Sequence, residues 1–245
     1  ACAGMDIPVI VLDRPNPNAH YVDGPIMQKE YESFVGLMPI PIVYGMTDWE
    51  LAQMINGEKW NPKTCELIII PIKNYTHQSS YQLPVKPSPN LPNFQSIYLY
   101  PTLCLFEGTK VSIGRGTDFP FQVIGFPEYQ LKDFQFTPRS IAGVSAHPKY
   151  MDEVCYGLDL RAYYPTIEEK PSQLNIQWWL DIYDSYTDKE GFFIPFFENL
   201  SGTKELRKQI ESGVSEEEIR QSWQEGLTEF KKKRSRYLLY DWYII

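Results

Sequence analysis

Glu107 and Arg115 stand close together in a segment built to present polar groups. Between and just beyond them, Gly108–Thr117 sets Thr109, Ser112 and Thr117 around Gly114 and Gly116, with Asp118 following. A carboxylate, a guanidinium and several hydroxyls on a glycine-rich loop can hold a polar ligand, and loops at element ends are where folds present such groups. The glycines permit positive φ or close approach of a ligand to the backbone. The plainer alternative is a turn in which Glu107 and Arg115 only pair with each other. Behind the loop, the apolar run Leu103–Phe106 predicts a buried strand that delivers Glu107 to its end.

A second polar set follows another apolar run. Asp6–Leu12 reads as a strand buried on both faces, as in a parallel sheet covered by helices. Such a strand needs parallel neighbours reached through crossover helices, and little downstream supplies them: the lone later candidate is Leu67–Ile72, so the first strand is expected to join a sheet built elsewhere or to belong to a longer protein's C-terminal part. Ligands of open parallel sheets gather beyond the carboxyl ends of strands. Asp13, Arg14 and Asn16, in a loop stiffened by Pro15 and Pro17, are therefore candidate binding residues. Asp23, in the turn signal Asp23-Gly24-Pro25, joins them as a candidate. Purely local turn stabilisation is the alternative for Asp13 and Arg14. The two loops, after Leu12 and after Phe106, are expected to converge on one pocket.

Bulk properties remove several function classes. A net charge of −8 and a pI near 5.0 argue against nucleic acid as a partner. No stretch approaches the roughly 18 apolar residues of a membrane span. The four cysteines are far apart, with no metal-ligand spacing, so neither a metal nor a cofactor is expected. The aromatic share, 15% with 17 Tyr, suits sugar-binding surfaces as well as a core.

The remaining elements frame these loops. Thr47-Asp48-Trp49-Glu50 is a capping box, which makes Glu50 a helix cap rather than a catalytic acid. His77 has no partner nearby in sequence and reads as an ordinary surface or core histidine. Four prolines in Leu83–Pro92 predict an extended linker and a boundary between domains 1–83 and 84–245. Strands are predicted over Phe134–Val144 and Val154–Tyr163. Ser172 is expected to cap a helix carrying Leu174, Trp178, Ile182 and Tyr186, and a short helix carries Leu206 and Ile210 up to Gly213. A second capping box, Ser215–Glu218, opens a helix whose Ile219, Trp223, Leu227 and Phe230 form one core-facing stripe. Tyr237–Ile245 is expected to dock as a final strand.

Seven phrases, in this order, carry a family resemblance: VIVLDRPNP (Val9–Pro17), VDGP (Val22–Pro25), YGMTDWELA (Tyr44–Ala52), PSPNLP (Pro87–Pro92), YPTLCLFEGT (Tyr100–Thr109), GRGTDFPF (Gly114–Phe121) and RSRYLLY (Arg234–Tyr240). Together they resemble the NamZ-type exo-β-N-acetylmuramidases. The resemblance implies a Rossmann-like N-terminal domain, a smaller α/β C-terminal domain and a cleft between them. It implies release of N-acetylmuramic acid from the non-reducing end of peptidoglycan fragments by an exported bacterial protein. The family's Pro-Glu-His-Gly segment, whose glutamate is held to be catalytic, is not in this sequence. The fold expected is therefore α/β, a remnant of a Rossmann-like parallel-sheet domain followed by a smaller α+β domain. On this reading the chain is the C-terminal part only, lacks the N-terminal half that would complete its pocket, and its activity alone is in doubt. Glu107 is expected to act as an auxiliary group that holds a sugar hydroxyl or fixes Arg115, because a carboxylate beside an arginine is a poor proton donor. Arg14 and Arg115 suit the lactyl carboxylate of muramic acid. The alternative function is a non-catalytic carbohydrate-binding or assembly module. A nucleotide-binding reading is weak, because no GxGxxG opens a helix.

Overall fold

The computed structural model describes residues 1–241. In chain order its elements are β1 (Val9–Leu12), β2 (Asp23–Ile26), β3 (Pro41–Val43), α1 (Asp48–Gly57), β4 (Leu67–Ile70), α2 (Phe94–Leu103), β5 (Val123–Phe126), β6 (Gln135–Phe136), β7 (Cys155–Asp159), α3 (Ile176–Ser185), α4 (Lys189–Phe192), α5 (Phe196–Ser201), α6 (Glu205–Glu211) and α7 (Glu216–Arg234). The protein is α/β, with a small parallel sheet near its start and a helical C-terminal region.

Strand β1 pairs in parallel with β4, Val9 opposite Leu67 through Leu12 opposite Ile70. The first strand thus finds its partner inside the chain. It is not buried on both faces. Ile10, Leu12, Ile68 and Ile70 point outward and are 43–68% exposed. A continuous apolar run carries no alternation to say which face is open, so sequence alone could not separate the two cases. Strands β2 and β3 form an antiparallel pair, and β5 and β6 flank β7.

The run Leu103–Phe106 is fully buried but helical, contrary to the expected strand. Asn93 and Ser96 form a reciprocal capping box that starts α2. The helix continues through Pro101 and tightens into a 3-10 turn, Cys104–Gly108. Burial fixes that these residues are apolar, and the cap upstream fixes that they are helical. Strand β6 covers only two residues of the long strand expected over 134–144, because Pro138 and Gly143, the latter at φ 73°, interrupt it. Helix α3 is capped by Asn175 rather than Ser172. Residues 237–241 form no strand, and residues 242–245 lie outside the described part. Residues 84–92 carry neither helix nor regular strand.

The core lies between α2, α3, α7 and the β5–β7 sheet. Phe106, Phe121, Phe126, Phe192 and Phe197 are almost wholly buried there, with Trp179 and Ile182 of α3 and Ile219, Trp223 and Leu227 of α7. Each such side chain contributes about 1.5–3 kcal/mol by leaving water. Trp179 also donates its indole N–H to the Thr102 carbonyl at 3.0 Å, tying α3 to α2.

Glu50 is a cap, as its capping box requires, and also an anchor. Its side chain has no exposure and hydrogen-bonds His77 Nε2 at 2.9 Å. It accepts from the amides of Thr47 at 2.9 Å, Leu239 at 2.9 Å and Tyr240 at 3.2 Å. His77 is therefore a buried partner of Glu50, and its other ring nitrogen faces the Asp241 carbonyl. Burial pushes the Glu50 carboxyl upward, but His77 and the Thr47 and Leu239 amides outweigh it, leaving the pKa below its ordinary value. The unfolded chain therefore takes up this proton at higher pH than the folded one. Stability from Glu50 is complete above the ordinary carboxylate range and drains as pH falls through the lowered folded value. Glu50→Gln should cost about 1–3 kcal/mol at neutral pH, as expected for leaving buried hydrogen-bond partners poorly satisfied. It should also flatten the acid limb of urea-unfolding free energy against pH; an unchanged acid limb would refute the assignment.

Candidate functional site

Helix α2 and its 3-10 turn set Glu107 at the edge of a cavity of about 390 Å3. Tyr44, Tyr100, Cys104, Phe196 and Asn199 share its wall with Glu107, and Val35, Leu37 and Met38 form an apolar lip. The position of Glu107 is fixed from several sides. Gly108 leaves no room for a side chain, since a Cβ there would sit 2.4 Å from the Phe197 backbone of α5. The Gly108 carbonyl accepts from Ile194 at 3.0 Å, and the Lys110 amide donates to Phe192 at 2.9 Å.

Arg115 donates its Nε to Glu107 Oε1 at 2.6 Å, and its guanidinium lies 5.0 Å over the Phe121 ring. This pair is about one-third exposed on the Arg115 side and one-quarter on the Glu107 side. The terminal nitrogens of Arg115 make no side-chain bond among the described residues and remain able to take a bidentate anion. Gly114 and Gly116, at φ 77° and 83°, turn the loop so that Arg115 folds back on Glu107.

Lys149 holds the same loop from beneath. Its ammonium donates among the carbonyls of Phe106 at 3.0 Å, Glu107 at 3.2 Å, Thr109 at 2.6 Å and Val111 at 3.1 Å. Two wall residues are kept in their neutral forms. Burial, then the Glu107 charge, pushes the Cys104 thiol up to about 12, which removes it as a nucleophile. Cys104, burial and Glu107 together raise the Tyr100 phenol, which stays a hydrogen-bond donor.

Most other candidates are used inside the fold. Thr109 donates to the Phe106 carbonyl at 2.8 Å and accepts from Val111 at 3.1 Å. Ser112 is 2% exposed and accepts from the Gly114 amide at 3.3 Å. Thr117 donates to the Gly114 carbonyl at 2.6 Å. These hydroxyls knit the turn, and Asp118 faces solvent.

Asp23 is buried, accepting from the Gly24 amide at 2.9 Å, the Leu174 amide at 2.7 Å and Arg220 of α7 at 3.2 Å. Asp13 accepts from Thr47 Oγ1 at 2.9 Å, the Trp49 amide at 3.1 Å and the Tyr240 hydroxyl at 2.8 Å. Asn16 donates to the Met46 carbonyl at 2.8 Å. Arg14 is exposed and does not line the Glu107 cavity. The expected convergence of the two loops on one pocket is therefore corrected. The loop after β1 is stitched instead to the start of α1, because its short polar side chains satisfy nearby backbone groups.

Sequence reasoning missed Tyr44, Phe196, Asn199 and Lys149. Tyr100 and Cys104 lay in the singled-out stretch, but nothing marked them as wall residues. Lys149 binds only carbonyls, which any residue type supplies, so no pattern could pair it with its loop. Among the described residues no group of His, Cys, Asp and Glu could hold a metal. No described helix is long and apolar enough to cross a membrane.

Comparison with known proteins matches the chain to one family. The model described as exo-beta-N-acetylmuramidase NamZ, C-terminal, covers residues 98–240, and its N-terminal counterpart covers residues 1–95. The peptidoglycan beta-N-acetylmuramidase NamZ of Bacillus subtilis is 36% identical across 96% of this chain and 60% of its own length. The chain thus spans less than two-thirds of that relative. A crystal structure of a DUF1343 family protein from Bacteroides fragilis superposes with a TM-score of 0.92 at 50% identity, covering 98% of this chain and 68% of that one. A second from the same organism, at 24% identity and TM-score 0.81, shares the fold. The expectation that the chain matches only the family's C-terminal part is corrected by the N-terminal match, and the pairing of β1 with β4 removes the unpartnered strand on which it leaned. With both family models matched in order, the chain belongs to the NamZ exo-β-N-acetylmuramidase family.

Proposed function

We propose that this chain recognises N-acetylmuramic acid at the non-reducing end of peptidoglycan fragments and takes part in its hydrolytic release. The proposal extends to an exported protein, as the family resemblance implies. The observation that carries it is Glu107 at the cavity wall, with Arg115 paired to it from just outside the lining, within a chain 36% identical to a peptidoglycan β-N-acetylmuramidase. The cavity volume of about 390 Å3 falls within the small-molecule range. Tyr100 and Phe196 are each 39% exposed at its wall and offer faces for a sugar ring.

Muramic acid differs from glucosamine by a lactyl carboxylate. The terminal nitrogens of Arg115 can take that group, while Glu107 holds the guanidinium in place and accepts a sugar hydroxyl. Glycoside cleavage proceeds through an oxocarbenium-like centre and ordinarily needs two carboxyl groups. Glu107 can stabilise the developing positive charge. Its contact with Arg115 orients it to accept hydrogen bonds.

A second reading, a non-catalytic carbohydrate-binding module, is favoured by one observation. Glu107 is the sole carboxylate among the described residues lining the cavity. Incubation of the chain with a chromogenic N-acetylmuramide separates the two: release of the chromophore supports the hydrolase, and calorimetric binding without release supports the module.

Arg115→Ala should weaken binding of N-acetylmuramic acid by roughly 10–100-fold, the cost of a lost charge-assisted contact of about 1.5–3 kcal/mol. Binding of N-acetylglucosamine should change little. Equal losses for both sugars would reject a carboxylate-reading role. Glu107→Gln should weaken binding of both sugars, since it removes the charge that strengthens the hydroxyl contact and holds the guanidinium. Titration calorimetry with the two sugars reads both outcomes.

A further inference from the structure

We propose that Lys149 is the positioning residue of the Glu107–Arg115 pair, its ammonium holding the backbone on which both side chains stand. The inference rests on the reading of Glu107 and Arg115 as the sugar-binding pair.

Four carbonyls, from Phe106, Glu107, Thr109 and Val111, converge on one nitrogen. Such convergence is unfavourable unless a cation sits at its focus. Phe106 and Glu107 belong to the end of the 3-10 turn, where carbonyls carry partial negative charge, and the Phe106 carbonyl also accepts from the Thr109 amide and hydroxyl. An ammonium has three N–H groups for four acceptors, so one donor is shared, and an uncharged side chain could not replace it. Pro148, the residue before, packs on the other arm of the loop. A Cβ at Gly116 would lie 2.6 Å from Pro148 Cγ, beside Arg115. The dipeptide Pro148-Lys149 thus fixes both sides of the ion pair while touching neither side chain by hydrogen bond.

Burial pulls the Lys149 amine down to about 8; Glu107 opposes this, and Lys110 and Arg115 add to it. These are the charged groups facing the amine. Between about 8 and the ordinary 10.5 the unfolded chain holds the proton more tightly, so the contribution of Lys149 to unfolding free energy rises with pH. The same linkage governs a local opening that returns the amine to water, so the loop closes more firmly over that interval.

The experiment uses the full chain as wild type, Lys149→Met, Lys149→Arg, Glu107→Gln and the Glu107→Gln/Lys149→Met double variant. Amide hydrogen exchange over residues 106–112 and calorimetric affinity for N-acetylmuramic acid are followed. In Lys149→Met, exchange over 106–112, relative to α7, should accelerate about tenfold, the loss of roughly one charge-assisted hydrogen bond. Affinity should fall about tenfold in the wild-type background and less than twofold in the Glu107→Gln background, because coupled residues are not additive. In wild type, exchange over 106–112, corrected for its intrinsic pH dependence, should slow above pH 8. Lys149→Arg, which keeps its charge, should not show that slowing. Unchanged exchange in Lys149→Met, or equal affinity losses in the two backgrounds, would overturn the proposal. If Lys149→Met does not fold, the wild-type and Lys149→Arg pH series decides alone: identical profiles overturn it, and divergence above pH 8 supports it. Faster 106–112 exchange together with unaltered affinity in Glu107→Gln would refute the sugar-binding reading while leaving loop-holding by Lys149 in place.

Discussion

A carboxylate that has left water must find every partner inside the protein, and in this chain that requirement falls on Glu50. Its two oxygens meet His77 and three backbone amides, from Thr47, Leu239 and Tyr240. Meeting it brings four separated segments together: the start of α1, the stretch after β4, the loop after β1 through Thr47 and Asp13, and the tail that follows α7. Arg234 adds to the closure by donating to the Gly45 carbonyl. The parallel pair β1–β4 is too short to hold this region by hydrogen bonds alone. Its position follows from the polar node beside it.

The same principle recurs with opposite sign around the cavity. There the buried group is a cation, and its partners are carbonyls rather than amides. Lys149 is to the Glu107 loop what Glu50 is to α1. In both places a single charge organises backbone dipoles from distant segments. Asp23 with Arg220 gives a third instance, joining β2 to α7 and to the amide of Leu174. The aromatic core supplies most of the driving force through burial of apolar surface. The charged nodes, which need correct geometry to offset desolvation, fix where the loops lie.

What was legible in the sequence was local. The capping boxes at Thr47 and Ser215 were readable because their chemistry lies within four residues, and both are present. The stripe on α7 was readable from pattern, whereas the first apolar run was expected to find its sheet elsewhere and instead pairs with β4. The Glu107–Arg115 contact was within reach because the two are close in sequence and a glycine turn joins them. Elsewhere the pattern was ambiguous. Leu103–Phe106 is apolar on every position, which fits a buried strand or a buried helix equally, and the deciding cap lay ten residues upstream at Asn93. The polar residues after β1 looked like ligand contacts because Asp and Asn serve turns and ligands with the same atoms. Their partners, Thr47, Met46 and Tyr240, are remote in sequence. Lys149 was illegible for the strongest reason: its partners are backbone.

The span between Glu50 and its tail donors matters for the order of assembly. The amides of Leu239 and Tyr240 stand 189 and 190 residues further along the chain. Ribosomes add about 5–20 residues per second, so on the order of 10–40 s separates the emergence of the acid from that of its last donors. During that interval the first third of the nascent polypeptide cannot close around an ionised carboxylate without leaving it short of partners. Translation itself thus delays the locking of this region until the tail has emerged, and a stalled ribosome would expose β1 and β4 to chaperones or to each other's copies on neighbouring polysomal chains.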